Sequence, residues 1–281
     1  MEAVHTFWSK PCRLKNYGKV IISDIEMLVL VLSALEWGKH NGKIIMITDK
    51  EGYRYFEKND LLSIWEECRT DLDDIEYVDA YSFWAAGKLY ALDTVNKPCV
   101  MLDTDMILWK KIDECFMSNI VVAHQEEITD FAYPDPSTFE FRDNKRIITP
   151  KEWDFSLPAA NTAFLYIKDS FFAKYYVSWA FKYIKKLNTK NLSPVQSMCF
   201  VEQRLLPICV KEKGIKVSTL LDNKKLEEQN FVTHLWGAKN AIRFSNKLNG
   251  HFCRRCMLRI KRENYEIFNK LYNNKRFRQY L

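Results

Sequence analysis

The sequence predicts an α/β fold with a mixed, mainly parallel sheet flanked by helices. Residues 1–102 hold four short apolar segments, and each of the first three is followed by a segment with helical spacing. A strand, helix, strand series of this kind forms a parallel sheet with right-handed crossovers. Hydrophobic residues make up 47% of the chain and charged residues 28%, a balance typical of a globular protein with a sizeable core.

Each element of the first half has its own local signal. A first strand is expected over 4–8, and Ser23 or Asp24 is placed to cap a helix that runs to about His40, where Asn41-Gly42 stops it. The other predicted elements are strands over 43–49 and 75–78, helices over 53–59, 61–68 and 83–95, and a strand that begins at Cys99. The Cys99 strand is therefore the fourth of this half.

The second half of the chain is less regular. Segment 126–153 contains three prolines and no clear period, so we interpret it as an elaborated loop region. From Ala238 onward the chain is expected to be helical and basic. The predicted elements between these parts are strands over 119–124, 157–167 and 215–220, and helices over 169–187 and 193–206.

The stretch Asp103-Thr104-Asp105 carries the strongest chemical signal. Aspartate is poor strand material, so two aspartates at the end of an apolar strand indicate a site at its carboxyl end. Two carboxylates separated by one small residue can present oxygens to a hard divalent ion such as Mg²⁺ or Mn²⁺, and such an ion commonly holds a nucleotide's phosphates. A solvated turn after a buried strand is the alternative, because Asp-x-Asp alone is a weak motif.

Basic charge is concentrated at the C terminus. From Lys239 onward there are 12 Lys/Arg and 2 Asp/Glu against an overall net charge of +6, so the rest of the chain is slightly acidic. Such a segment fits a helix on an anionic membrane surface, a nucleic-acid patch or a helix packed on the domain. We expect a domain over 1–242 and a basic helical extension over 243–281, with peripheral membrane contact as its candidate role and no nucleic-acid partner.

The expected compartment is the cytoplasm. The first residues lack a basic segment followed by a long apolar run, and no apolar run in the chain is long enough to span a bilayer. The eight cysteines are scattered, which favours free thiols in a reducing compartment. His251, Cys253 and Cys256 invite a zinc interpretation, but a single Cys-x-x-Cys without a second pair is a weak zinc signal.

Five sequence blocks, taken in order, are similar to one known family: 87–92, 102–105 with the following 112–116, 161–165, 202–206 and 234–239. They resemble the GT-A glycosyltransferases and in particular glycosyltransferase family 8, the glycogenin and galactosyltransferase-like family. The resemblance spans about residues 1–242. It departs from the family pattern at Ala163, where the family has Gly, at Glu202, where it has Asp, and at Lys239, which comes one residue early.

The resemblance implies a GT-A fold and a metal-dependent enzyme that moves a sugar from a nucleoside diphosphate, UDP in particular, to a glycan or glycolipid with retention of configuration. The Mn²⁺ or Mg²⁺ ligands that it implies are Asp103, Asp105 and His234. The implied donor contacts are Thr6, Trp8, Thr48, Lys88, Asp103, Gly237 and Lys239. The residues implied on the acceptor side and at the reacting centre are Asn161, Glu202 and Gln203.

Ordinary structural interpretations stand beside these roles. A lone His on an apolar strand is more often a core residue, Lys88 fits a solvated helix face, and Glu202 fits a surface ion pair. Two other functions stay open. A nucleotidyltransferase would need a Gly-rich phosphate loop, where the chain has only 17–19 (Tyr-Gly-Lys). The second is a non-catalytic carbohydrate- or partner-binding protein on the same scaffold.

Overall fold

The computed structural model describes residues 1–113, 117–222, 230–235 and 237–281. The fold class is the predicted one, a mixed α/β fold of mainly parallel strands flanked by helices. The chain divides into two units, of which the first holds residues 1–70, 102–112 and 223–281, and the second holds 71–101 and 113–222. Outside the described residues lie four positions of the sequence blocks: Glu114, Cys115, Phe116 and Trp236.

The strands and α-helices alternate through most of the chain. In chain order they are β1 (Ala3–Phe7), α1 (Ser9–Lys15), α2 (Asp24–His40), β2 (Ile44–Thr48), α3 (Lys50–Lys58), β3 (Cys68–Arg69), α4 (Ala86–Val95), β4 (Cys99–Leu102), β5 (Met106–Leu108), β6 (Ile120–Glu126), β7 (Ala159–Ile167), α5 (Ser170–Lys186), α6 (Pro194–Cys199), α7 (Leu205–Glu212), β8 (Val217–Thr219), β9 (Val232–His234), α8 (Ala238–Phe244), α9 (Asn246–Glu263), α10 (Tyr265–Asn273) and α11 (Lys275–Arg278).

The seven-stranded sheet of the described residues has the order β3-β2-β1-β4-β7-β6-β8, and its strands β1, β2 and β3 in the first unit are parallel. β1 pairs with β2 in a register that places Val4 opposite Ile45, and β2 pairs in turn with β3. Every residue of β2 is buried, as expected for a parallel strand covered on both faces. A separate antiparallel ribbon of the same unit pairs β5 with β9.

The third strand of the first half differs from the prediction. Residues 75–78 form no strand, and the strand beside β2 is the two-residue β3. Ile75 and Val78 are nevertheless buried, so their apolar spacing reflects a packed loop. The helix predicted over 61–68 is wrong as well, because only a 3₁₀ turn at Leu62–Ile64 forms there. A two-residue strand is defined by its backbone pairing, which local sequence patterns do not encode.

Helix α2 begins at the predicted cap. The Ser23 hydroxyl oxygen accepts a hydrogen bond from the Glu26 backbone N–H (3.4 Å), and the Glu26 carboxylate accepts one from the Ser23 backbone N–H (3.0 Å). This capping box satisfies two N–H groups that the helix start would otherwise leave unpaired. The C-terminal helix α9 packs on α2 within the first unit.

The sheet strands β6, β7 and β8 of the second unit are paired in both directions. β6 runs antiparallel to β7, with Val122 opposite Leu165 and a register shift between Val122 and His124. β8 lies on the other side of β6 and runs parallel to it. Helix α5 starts where the sequence indicated, because the Asp169 side chain accepts a hydrogen bond from the Phe171 backbone N–H (2.8 Å).

The helical segment after Ser193 is interrupted by a π-helical turn. α6 ends at Cys199, residues Phe200–Arg204 form the turn, and α7 continues to Glu212. The sequence predicted one uninterrupted helix ending near residue 206, so the turn and the extra length are findings of the structure. π-helical turns occur frequently at functional sites, and this one carries Glu202 and Gln203.

None of the described helices combines the length and the apolar character that crossing a bilayer requires.

Candidate metal site and buried polar network

Asp103, Asp105 and His234 come together in the first unit. One ligand atom from each residue lies within 4.8 Å of the other two. Two ligands bonded to one ion at about 2.2 Å lie at most about 4.4 Å apart, so adjustments of a few tenths of an ångström bring all three to bonding distance. Two carboxylate oxygens with one imidazole nitrogen form a donor set that suits divalent ions such as Mn²⁺. The structure therefore contains a possible divalent metal site.

The β5–β9 ribbon brings these side chains together. Met106 pairs with His234 across the ribbon, and the Leu235 backbone N–H donates to the Asp105 carbonyl (3.2 Å). The Met106 backbone N–H closes a turn onto the Asp103 carbonyl (3.0 Å). His234 thus reaches the two carboxylates through backbone pairing, although it lies far from them in the sequence.

The nitrogen atoms of Lys239 and His234 face the Asp105 carboxylate. Asp105 is only 8% exposed, and the Lys239 ammonium lies 2.5 Å from its Oδ2 atom. The His234 Nε2 atom lies 3.7 Å from Asp105 Oδ1. Lys239 belongs to α8, and the exposed Gly237 precedes that helix. A negatively charged, half-enclosed site with a flexible ammonium beside it suits a cation together with an anionic ligand.

A chain of buried hydrogen bonds supports the start of β5. Trp65 Nε1–H donates to His5 Nδ1 (3.2 Å), His5 Nε2 lies 3.0 Å from Ser33 Oγ, and Ser33 Oγ–H donates to the Met106 carbonyl (2.5 Å). An indole can only donate, so His5 Nδ1 accepts and Nε2 carries the proton of the neutral ring. Burial lowers the pKa of His5 to about 3, although the charge of Asp103 opposes the shift.

Thr6, Trp8 and Thr48 lie at the ends of β1 and β2. Thr6 is half-buried and Trp8 is 7% exposed. Thr48 is fully buried, and its hydroxyl donates to the Phe7 carbonyl (2.5 Å). The Thr48 side chain thus joins the ends of the two strands, a structural role that stands beside its predicted contact with a nucleotide.

Lys88 and Glu202 form a buried ion pair in the second unit. The Lys88 Nζ atom lies 2.9 Å from Glu202 Oε1 and donates to the Thr162 carbonyl (2.5 Å). The Thr162 hydroxyl donates to the same Glu202 oxygen (2.8 Å). Lys88 is 6% exposed and Glu202 is 4% exposed. The structure therefore excludes a solvated helix face for Lys88 and a surface ion pair for Glu202.

Asn161 and Gln203 are joined through two residues that sequence reasoning missed, Glu126 and Tyr133. Asn161 Nδ2 donates to Glu126 Oε1 (2.6 Å), and the Tyr133 hydroxyl donates to Glu126 Oε2 (2.6 Å). The same hydroxyl lies 2.6 Å from Gln203 Oε1. A phenol has one proton, so both contacts are satisfied when the Gln203 amide is turned and its Nε2 donates to the Tyr133 oxygen.

The buried phenol of Tyr133 connects Glu126 to Gln203. Burial, followed by the hydrogen bond to Glu126, raises the pKa of Tyr133 well above its usual value, so the phenol keeps its proton. A signal for Glu126 was present in the sequence, because it is a carboxylate at the end of an apolar strand, as Asp103 is. Tyr133 had no such signal, since it lies in the Pro-containing loop region.

Family membership follows from a comparison with known families. The model of DUF6734, described as a family of unknown function, matches residues 1–273. The chain belongs to DUF6734. The match covers α8, α9 and α10. Among the curated proteins, none matches this DUF6734 chain.

Three solved transferase structures are similar to this DUF6734 chain. CTP:phosphocholine cytidylyltransferase (LicC) of Streptococcus pneumoniae is 12% identical, with a TM-score of 0.39 over 88% of this chain and 98% of that one. Mouse xyloside xylosyltransferase 1 is 11% identical, with a TM-score of 0.42 over 78% and 85%. The PaToxG glycosyltransferase is 14% identical, with a TM-score of 0.43 over 81% and 73%.

Proposed function

We propose that the chain is a metal-dependent glycosyltransferase of the GT-A type. It moves a sugar from a nucleoside diphosphate, UDP in the first instance, to a glycan or glycolipid acceptor with retention of configuration. The observation that carries the proposal is the grouping of Asp103, Asp105 and His234 within 4.8 Å. The sequence resemblance implies the same three residues as metal ligands.

The first unit supplies the diphosphate end of the reaction in this proposal. Asp103, Asp105 and His234 would hold Mn²⁺ or Mg²⁺, which as a Lewis acid offsets the charge that grows on the leaving diphosphate. Lys239 adds an ammonium beside the same carboxylate, 2.5 Å from Asp105. Gly237 lets the ligand approach the backbone closely, because it presents no side chain.

The remaining predicted residues are proposed to contact the rest of the donor and the acceptor. Lys88, Thr6, Trp8 and Thr48 are proposed for the donor. The proposed residues for the acceptor side and the reacting centre are Asn161, Glu202 and Gln203. Support for the last group comes from burial and hydrogen bonding, since the Lys88 ammonium and the Thr162 hydroxyl hold the Glu202 carboxylate in one position. Preorganised polar groups of this kind are typical of reacting centres.

Calorimetric titration of UDP tests the metal site. We expect UDP affinity to rise at least about tenfold when Mn²⁺ is added, a change of about 1.4 kcal/mol. Asp105→Asn should remove this gain because it removes one anionic ligand at constant size. Asp130→Asn is the matched control, because Asp130 is an exposed aspartate outside the cluster. Metal-independent binding, or an unchanged gain in Asp105→Asn, contradicts the proposal.

Donor hydrolysis separates an enzyme from a non-catalytic relative. A panel of UDP- and GDP-sugars with Mn²⁺ should yield free sugar from at least one donor, since the reaction centre transfers the sugar slowly to water without an acceptor. Metal-dependent UDP binding with no turnover of any donor would favour the non-catalytic carbohydrate- or partner-binding alternative. A cytoplasmic location and membrane contact through 243–281 stay predictions.

A further inference from the structure

A cleft of about 800 Å³ in the first unit is lined by the β5–β9 ribbon and helix α9. Ile107, Trp109 and Phe252 belong to its apolar lining. No carboxylate belongs to the lining among the described residues. The charged lining consists of three guanidinium groups, those of Arg255, Arg259 and Arg262. The cleft therefore pairs an apolar surface with guanidinium groups.

The guanidinium groups form one stripe on α9. Phe252, Arg255, Arg259 and Arg262 follow a spacing of three, four and three residues, which places their side chains on one face of an α-helix. Arg254 lies about 100° around the helix from Arg255 and is not part of the lining. The stripe thus belongs to the cleft, whereas the neighbouring exposed Arg254 does not.

The ribbon separates this cleft from the candidate metal site. Ile107 pairs with Thr233, and Met106 pairs with His234. Because side chains alternate between the faces of a strand, Ile107 and Thr233 point away from the face that carries His234. Trp109 Nε1–H donates to Thr233 Oγ1 (2.8 Å), which fixes the indole on the cleft face. A ligand in the cleft therefore occupies a site of its own.

The three arginines differ in their partners. The Arg259 guanidinium lies 4.8 Å from the centroid of the Trp109 ring and 2.9 Å from the buried Glu36 carboxylate. Arg262 lies 3.2 Å from Glu263. Arg255 is exposed, and within the described part of the chain it has no ion pair. Arg255 is thus the guanidinium best placed to meet an incoming anion.

We propose that this cleft binds a phosphate monoester carried on an apolar group. The apolar lining removes the apolar group from water, and a guanidinium binds a phosphate through two parallel hydrogen bonds. A flat anionic membrane surface would meet the exposed Arg254 and Arg255 alike, whereas a ligand inside the cleft meets only Arg255. This site is independent of the proposed transferase activity.

Calorimetry with monomeric dodecyl phosphate tests the site on the full chain. We expect saturable binding of dodecyl phosphate and at least tenfold weaker binding of inorganic phosphate and of dodecyl maltoside, each of which lacks one half of the ligand. Arg255→Gln should weaken dodecyl phosphate at least tenfold, and Arg262→Gln should weaken it as a second variant. Arg254→Gln, the matched control on the same helix, should stay within twofold of the native chain.

Vesicles containing phosphatidic acid distinguish the source of the phosphate. Vesicle binding that Arg255→Gln weakens and Arg254→Gln does not would support the cleft with a lipid as its ligand. Binding of dodecyl phosphate alone, with the same variant pattern, would support a soluble ester. If Arg254→Gln and Arg255→Gln weaken binding equally, the proposed cleft site is rejected, because general surface charge then explains the binding. Absence of dodecyl phosphate binding would overturn the site as well.

Discussion

Gly237 has no conformational or packing reason to be glycine. Its φ is −68°, which any residue adopts, and a Cβ built on it would meet no described atom within 4 Å. Gly52 is the contrasting case, because a Cβ there would lie 2.0 Å from Thr48 Oγ1. A glycine that the fold does not need, two residues before Lys239, is consistent with close approach of a ligand to the backbone.

Gly237→Ala should therefore separate binding from stability. The free energy of unfolding should change by less than about 0.5 kcal/mol, because the new methyl group meets no atom. The affinity for UDP with Mn²⁺ should fall about tenfold, which calorimetry measures as about 1.4 kcal/mol. Gly250→Ala is the control, since Gly250 lies in α9 with similarly open space and should leave UDP binding unchanged. Equal UDP affinity in both variants would contradict the proposed contact of UDP with Gly237.

His5 makes stability depend on pH. Its pKa in the folded chain is lowered to about 3 from 6.5, so the unfolded chain binds the extra proton first as the pH falls. Its contribution is fully present above pH 6.5 and declines below it by about 1.4 kcal/mol per pH unit. Urea titrations of the native chain and His5→Gln should show a stability difference that shrinks between pH 6.5 and pH 4.5. A constant difference would show that His5 accepts a proton in place.

At the scale of the elements, α9 is joined to α2 by an ion pair between a buried carboxylate and a partly exposed guanidinium. The Glu36 carboxylate on α2 is fully buried, and Arg259 on α9 lies 2.9 Å from one of its oxygens. The imidazole of His40 lies 3.3 Å from the other oxygen. A buried carboxylate is costly without its counter-ion, so removing Arg259 alone should cost more stability than the intact pair contributes.

Removing one partner of this pair should lower the free energy of unfolding, and replacing both partners with leucine should restore much of it. Arg259→Leu should lower the free energy of unfolding by about 3–5 kcal/mol, because Glu36 stays buried without its guanidinium. The double variant Glu36→Leu with Arg259→Leu should recover much of that loss. Arg262→Leu serves as the control at a 65% exposed side chain, where about 1 kcal/mol or less is expected. Thermal melting measures all three, and a double variant no more stable than Arg259→Leu would contradict the account.

At the scale of the whole molecule, the C-terminal segment is part of the first unit. Residues 223–281 group with 1–70 and 102–112. Salt bridges join its Arg276 to Asp24 and its Arg243 to Glu26, both at the start of α2. The buried apolar side chains after residue 242 are Cys253, Cys256, Met257, Ile260, Ile267, Phe268, Leu271 and Phe277.

Truncation after residue 242 should unfold the first unit. The six buried Met, Ile, Leu and Phe side chains after residue 242, at about 1.5 kcal/mol or more each, contribute about 9 kcal/mol, which is comparable to the whole stability of a typical domain. We therefore expect the chain 1–242 to aggregate or to lose its cooperative melting transition. Truncation after residue 273, the end of the family match, is the milder comparison. A folded, cooperatively melting 1–242 would show that the extension is merely appended.

The sequence by itself determined the elements whose signals are local. Ser23 and Asp169 marked the starts of α2 and α5 because their side chains cap the first turn. The apolar runs over 43–49 and 157–167 correspond to β2 and β7. A short, continuous apolar run indicates a buried strand even when the strands that pair with it are unknown. The family resemblance also named Asp103, Asp105 and His234 together.

Only the tertiary structure decided the features that depend on distant pairing. β3 exists because β2 offers hydrogen bonds to Cys68–Arg69, and residues 75–78, which have the better strand pattern, are packed as a loop. The register of the β5–β9 ribbon decides that His234 lies against Asp105, and packing decides that Lys88 pairs with Glu202 inside the protein. Local sequence specifies the backbone preference and the polarity of each segment. A site is formed by contacts between segments that are distant in the chain, and local sequence does not show which distant segments will meet.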